Sequence, residues 1–182
     1  MIAAAIGFLV RNLPAVLFVA ALIVAAAWRG REAAAERFLS WVLLLPIGVA
    51  GLWAALFHLF FPDLAAAHIG WAPSPFQFEV GVADLAIGIT ACLAFRRDLG
   101  FKAAAVSAAS VFLLGDAVGH VRQMLTAGNF APGNAGVPFF MDILGPALAL
   151  ALLAAALRRR RRNAARPGRV ERFDPPATEA GA

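Results

Sequence analysis

The chain has 182 residues, of which 62% are hydrophobic and 15% charged, with a mean hydropathy of +0.77 and no tyrosine. A soluble domain of this length has too little interior to bury so much apolar side chain, so the composition excludes that class and points to the bilayer. The formal charge of +5 does not indicate nucleic-acid binding, because the basic residues sit at the ends of apolar stretches rather than in an aromatic-interleaved patch.

A helix needs roughly 20 mostly apolar residues to cross the hydrocarbon layer. Five stretches qualify: 2–28, 38–61, 76–95, 103–125 and 137–157. The predicted fold is an all-α transmembrane helical bundle of about five spans, occupying 1–157. A basic tail, 158–182, lacks apolar periodicity and is expected to be disordered.

In the first span, Ala25-Ala26-Ala27 imitates a signal-peptidase site. The opening residues carry no basic segment, however, and the first arginine is Arg11, so the span is expected to stay uncleaved. Pro46 in the second span and Pro146 in the fifth each remove a backbone hydrogen bond and predict a bend. The third span is expected to open at Ser74-Pro75-Phe76-Gln77, which has capping-box spacing with a first-turn proline. Cys92 is the only cysteine and offers neither an internal disulfide nor a CxxC pair. In the fourth span, Gly115 and Gly119 form a small-xxx-small step that lets a neighbouring helix come close. The connection Gly128 to Gly136 is rich in Gly and Asn, which permit left-handed backbone angles. It reads as a tight turn, with a lid over the bundle mouth as the alternative.

Loop charge gives the orientation. Arg29, Arg31 and Arg37, then Arg96, Arg97 and Lys102, then Arg158 to Arg162 belong on one side; the connections 62–75 and 126–136 contain no Lys or Arg. The expected topology is N-terminus out and C-terminus in. Trp28 and Trp41 are then inner interface anchors and Trp71 lies in an outer loop. The arginine run is also suited to anionic lipid heads.

The polar residues inside the spans carry the functional question. Counting about 1.5 Å per helical residue from the inner boundary charges places Asp84 ~18 Å, Asp116 ~21 Å, and Glu79 and Asp142 ~24 to 26 Å up a core about 30 Å thick. His58, His120 and Arg11 fall nearer the outer boundary. Buried ionisable groups cost on the order of 3 kcal/mol each and so tend to face the bundle interior and find partners. The expected binding pocket is therefore His58, Glu79, Asp84, Asp116, His120 and Asp142, opening outward. Asp116 and His120, four apart on one helix face, can share a proton or, with Glu79, form a mixed N/O set for a divalent zinc, iron or manganese ion. Arg11 and Arg122 are candidate charge partners for Asp84. The competing reading treats all these groups as helix cross-links. Taken alone, His58 reads as a solvated interfacial histidine, His68 as a solvated loop histidine, and Gln77, Asn129 and Asn134 as loop and cap hydrogen bonders.

Several strings carry a resemblance: Phe57-His58-Leu59-Phe60-Phe61-Pro62, Ile69-Gly70-Trp71 followed by Ser74 to Gly81, Gly115-Asp116-Ala117-Val118-Gly119-His120, and Gly128 to Gly136. Through them the chain resembles a bacterial membrane family catalogued only as Domain of Unknown Function 6790. The resemblance implies a small bacterial inner-membrane protein and brings no activity with it. Helix count and size are also similar to DoxX-like membrane proteins, a likeness of architecture alone. No Walker motif, dinucleotide fingerprint or haem-attachment CxxCH is present, which argues against nucleotide-driven or c-haem chemistry. The functional expectation is a non-enzymatic membrane protein that binds or moves a small ligand, ion or proton. The alternatives are a membrane enzyme using an Asp/His acid–base or metal site, and a structural accessory subunit. The expected partners are the lipid bilayer and membrane subunits or a second copy of the chain, without nucleic acid.

Overall fold

A computed structural model of the chain describes residue 8, residues 11–30 and residues 32–165. The described residues form helices joined by short connections: α1 (Leu13–Ala27), α2 (Ala34–Phe60), α3 (Pro62–Ile69), α4 (Phe76–Ala94), α5 (Leu99–Ala127), α6 (Pro132–Ala135) and α7 (Val137–Ala164). Four helical stretches are long and apolar enough to cross a membrane: α2, α4, α5 and the α6–α7 unit Pro132–Ala164. The predicted first span, 2–28, contains the apolar α1, which is 15 residues long as described and shorter than the other four; the start of that span lies outside the described residues. The chain is an all-helical integral membrane protein.

The predicted spans and the observed helices agree closely, with instructive exceptions. Around Pro46, α2 does not break; it widens into a π-helical stretch over Leu43–Val49, which accommodates a ring that would clash in an ordinary turn. The connection 62–75 contains an extra helix, α3. The basic run expected to open a disordered tail is helical instead: α7 continues through Arg158 to Arg162 and ends at Ala164. The remainder of the tail lies outside the described residues.

The bundle has two chemically distinct ends. At the basic end Trp28 and Trp41 meet edge-on at 5.8 Å, and Trp41 meets Phe95 at 4.8 Å. Arg37 Nε donates to the Ala25 carbonyl at 2.8 Å, satisfying an open acceptor at the C-terminus of α1. Lys102 is buried and pairs with Glu36 at 3.3 Å, tying α5 to the start of α2. Above these charges lies the dry core, built from residues such as Leu39, Val42, Leu43, Ala91, Val106, Ala109 and Leu153. At the distal end, the arginine-free connections interlock. Asn129 Nδ2 donates to the carbonyls of Ile69 and Gly70, while Gly70 and Gly128, both at positive φ, terminate α3 and α5.

Small residues set how closely α2 and α4 approach. A Cβ at Gly88 would lie 2.9 Å from Leu52 N and 3.1 Å from the Gly48 carbonyl, and one at Gly51 would lie 3.3 Å from Gly88 Cα. The backbones are therefore in direct contact. Gly115 and Gly119, the step expected to receive a neighbouring helix, have nothing within 4 Å of such an atom. The close approach is made by glycines of the second and third predicted spans.

The start of α5 supports a pH test. Asp98 Oδ1 accepts from the amides of Gly100 at 2.7 Å and Phe101 at 3.1 Å, and these bonds, chiefly that from Phe101, hold its carboxyl below the usual carboxylate range. A depressed folded-state value means that the cap acts fully above the unfolded value, about 3.9, and is lost as pH falls through the folded one. Asp98→Asn keeps an acceptor but cannot titrate. It is expected to lose the acid-dependent part of wild-type stability, and unfolding curves with the same pH dependence in both proteins would refute this.

Candidate functional site

Among the described residues, buried Gln77, Asp84, His120 and Asn134 gather in the distal half of the bundle, and the centre of this group is an asparagine. Asn134, on the short helix α6, is fully buried. Its Nδ2 donates to the Asn129 carbonyl at 2.9 Å and the His120 carbonyl at 3.2 Å. Its Oδ1 accepts from Trp71 Nε1 at 3.2 Å and faces His120 Nδ1 at 2.8 Å. Indole N–H is a donor only, so the amide orientation is fixed by Trp71. An oxygen facing His120 then requires that Nδ1 carry the proton and donate.

The other ring nitrogen of His120, Nε2, faces Asp142 Oδ2 of α7 at 3.5 Å. With Nδ1 committed to Asn134, a proton between His120 and Asp142 has two places to reside, on Nε2 or on the carboxyl. The ring is buried, flanked by Trp71 at 6.0 Å and by Phe139, edge-on at 6.3 Å. Tautomer, ring plane and hydrogen-bond partners are thus all set by the surrounding side chains.

Asp84 of α4 and Asp116 of α5 complete the cluster. The carboxyls of Asp84, Asp116 and Asp142 stand within electrostatic reach of one another, and Asp116 also feels His120. Asp84 is buried and Asp116 half-buried. Among the described residues neither makes a hydrogen bond or an ion pair. The ion pairs found there are Lys102–Glu36 and His120–Asp142.

Four of the six expected pocket residues, Asp84, Asp116, His120 and Asp142, therefore come together, although the bonded partner of His120 is Asp142 rather than Asp116. The other two stand apart. His58 is half-buried at the end of α2, where its Nδ1 bonds the buried Gln77 side chain of α4. That bond replaces both the solvated histidine and the capping box: Gln77 points to His58, and the Ser74 hydroxyl meets only the Phe76 amide. Glu79 is exposed on α4. Arg11 and Arg122 are exposed too, and neither pairs with Asp84. Among the described residues no three His, Cys, Asp or Glu side chains converge as a metal-binding set, so Asp116, His120 and Glu79 do not form one. His68 lies exposed at the end of α3.

Sequence reasoning missed the weight of Asn134, Trp71 and Gln77, which it read as loop and cap residues. One available signal was glycine on both sides of Asn134. A Cβ at Gly133 would lie 2.7 Å from the His68 carbonyl, and one at Gly136 would run into that of Pro132. These contacts let the connection fold inward and drive the asparagine into the bundle.

None of the curated proteins and no solved structure matches the chain. A family model does match, over residues 11–162, which takes in every helix described above except the last two residues of α7. The chain belongs to this family of unknown function, DUF6790.

Proposed function

We propose that the protein is a non-enzymatic membrane protein of the bacterial inner membrane, N-terminus out, whose distal pocket binds a proton at the Asp84–Asp116–Asp142–His120 cluster. One observation supports this above the others: three carboxyls from three helices lie within electrostatic reach of one another and of one imidazole, and among the described residues none of them pairs with an arginine or lysine. Carboxylate and histidine clusters at membrane depth are expensive and are used for proton binding and relay. The surplus negative charge calls for a bound proton or cation, and the lack of a converging ligand set among the described residues favours the proton. The apolar core lies towards the basic end, and in this reading protons reach the cluster from the distal side. Asp84 and Asp116, which have no hydrogen-bond or ion-pair partner among the described residues, are the proton-exchanging groups; the bonded trio His120, Asp142 and Asn134 holds the helices in register around them.

Trp71, beside His120, provides the readout. Tryptophan fluorescence of the detergent-purified protein is expected to follow a titration that Trp71→Phe removes. In an Asp84→Asn/Asp116→Asn double variant its midpoint should move by on the order of one pH unit, through loss of neighbouring charge. A signal unchanged in a folded double variant would refute the proton site. A second reading, that His120 is a helix cross-link, is favoured by both of its ring nitrogens facing protein partners; it predicts instability in His120 variants and none in the double variant.

A further inference from the structure

A second feature of the distal end lies outside the carboxylate cluster. A cavity of about 250 Å³ opens between the start of α1 and the connection into α7, lined by Arg11, Asn12, His68, Pro132, Gly136, Val137 and Pro138. The same connection carries the buried Asn134, so the cavity lies along the segment that also holds His120. The two sites differ in charge. The cluster is acidic, whereas the cavity is lined by an arginine and a histidine, with no Asp or Glu among its lining residues.

Arg11 is exposed and, among the described residues, makes no hydrogen bond or ion pair. Asn12 Nδ2 is already committed to the Phe8 carbonyl at 2.8 Å, so the guanidinium is the principal donor facing the space. Arginine presents a planar fork suited to the paired oxygens of phosphate. The part of the wall made by His68, Pro132 and Gly136 is held by close backbone contacts: a Cβ at Gly133 would meet the His68 carbonyl and one at Gly136 the Pro132 carbonyl. A wall fixed in this way does not have to be ordered when a ligand arrives. The first residues of α7 also line the cavity, adding the positive end of a 28-residue helix. Its volume is below that of pockets for drug-sized molecules, roughly 300–1,000 Å³, and suits one tetrahedral anion. The cavity lies at the end of the bundle whose connections 62–75 and 126–136 carry no Lys or Arg, and an end of a membrane bundle meets the level of the lipid phosphates.

We infer that the Arg11–His68 cavity is a phosphate-binding site, occupied either by the headgroup of an anionic phospholipid or by free inorganic phosphate. The test uses the full chain in a maltoside detergent, which supplies no phosphate of its own. Inorganic phosphate and, separately, phosphatidylglycerol in mixed micelles are titrated calorimetrically into wild type, Arg11→Gln, His68→Gln and the control Arg29→Gln at the opposite end. Saturable binding of phosphatidylglycerol alone, weakened about tenfold or more in Arg11→Gln through loss of the charged fork and unchanged in Arg29→Gln, identifies the lipid headgroup. The same pattern with inorganic phosphate identifies the free anion. No saturable binding of either, or equal affinity in wild type and Arg11→Gln, overturns the site. Both varied side chains are exposed, so packing is not at stake; His68→Gln supplies an independent second reading, and unchanged affinity there removes histidine from the site.

Discussion

Replacing Asn134 with alanine is expected to cost roughly 3 kcal/mol of stability, taking its four polar contacts at about 0.6–1 kcal/mol each in a membrane interior. The contacts are not interchangeable. Two are donated from Nδ2 to the carbonyls of Asn129 and His120, and two are made by Oδ1 with Trp71 and His120. Alanine would remove the acceptor of two N–H groups and a donor to two carbonyls around a fully buried position. The second consequence is chemical: without its acceptor, Nδ1 of His120 no longer has to carry the proton, and the ring is free to take either tautomer. Denaturant unfolding of the purified protein measures the first effect, and nitrogen chemical shifts of selectively labelled histidine measure the second. A loss below about 1 kcal/mol, the scale of one such bond, would show that Asn134 is not the centre of the network.

Gly88→Ala is expected to cost about 2 kcal/mol and Gly88→Val more, the usual range for overpacking a close contact. The added atom would meet Leu52 N and the Gly48 carbonyl at 2.9 and 3.1 Å. Both are helix backbone and cannot turn aside as a flexible side chain would. Separating α2 from α4 would also move His58 away from Gln77 and shift Asp84 relative to its neighbours on α5 and α7. Gly115→Ala provides the contrast. Nothing surrounds that position, so the change should be neutral or raise stability by up to about 1 kcal/mol through helix propensity. Equal effects at the two positions in the same unfolding assay would contradict the packing described for α2 and α4.

The spans were legible because hydrophobic length is a one-dimensional property, and the level of Asp84, Asp116 and Asp142 followed from counting residues along each helix. Helix rotation and pairing were not. The i,i+4 spacing of Asp116 and His120 placed them on one face, but the bond of His120 is set by how α5 and α7 pack, which no count along a single helix contains. Gly115 and Gly119 formed a motif without a neighbour, whereas Gly48, Gly51 and Gly88 lay too irregularly in the sequence to form one and still make the contact. Asn134 was read by its loop, since turn composition says where a chain bends and not which side chain the bend turns inward. Gln77 satisfied a capping rule and went to a histidine on another helix.

The length of α7 has a mechanical consequence. Its 28 residues make a rod of about 42 Å, longer than the ~30 Å hydrocarbon layer. Five successive arginines on a helix advance by about 100° each, so their charges encircle the rod as a collar and mark no single face. A collar of cations cannot be drawn into lipid, and it therefore stops α7 from sliding towards the distal side. Asp142, carried on the same rod, is thereby held at a constant height opposite His120.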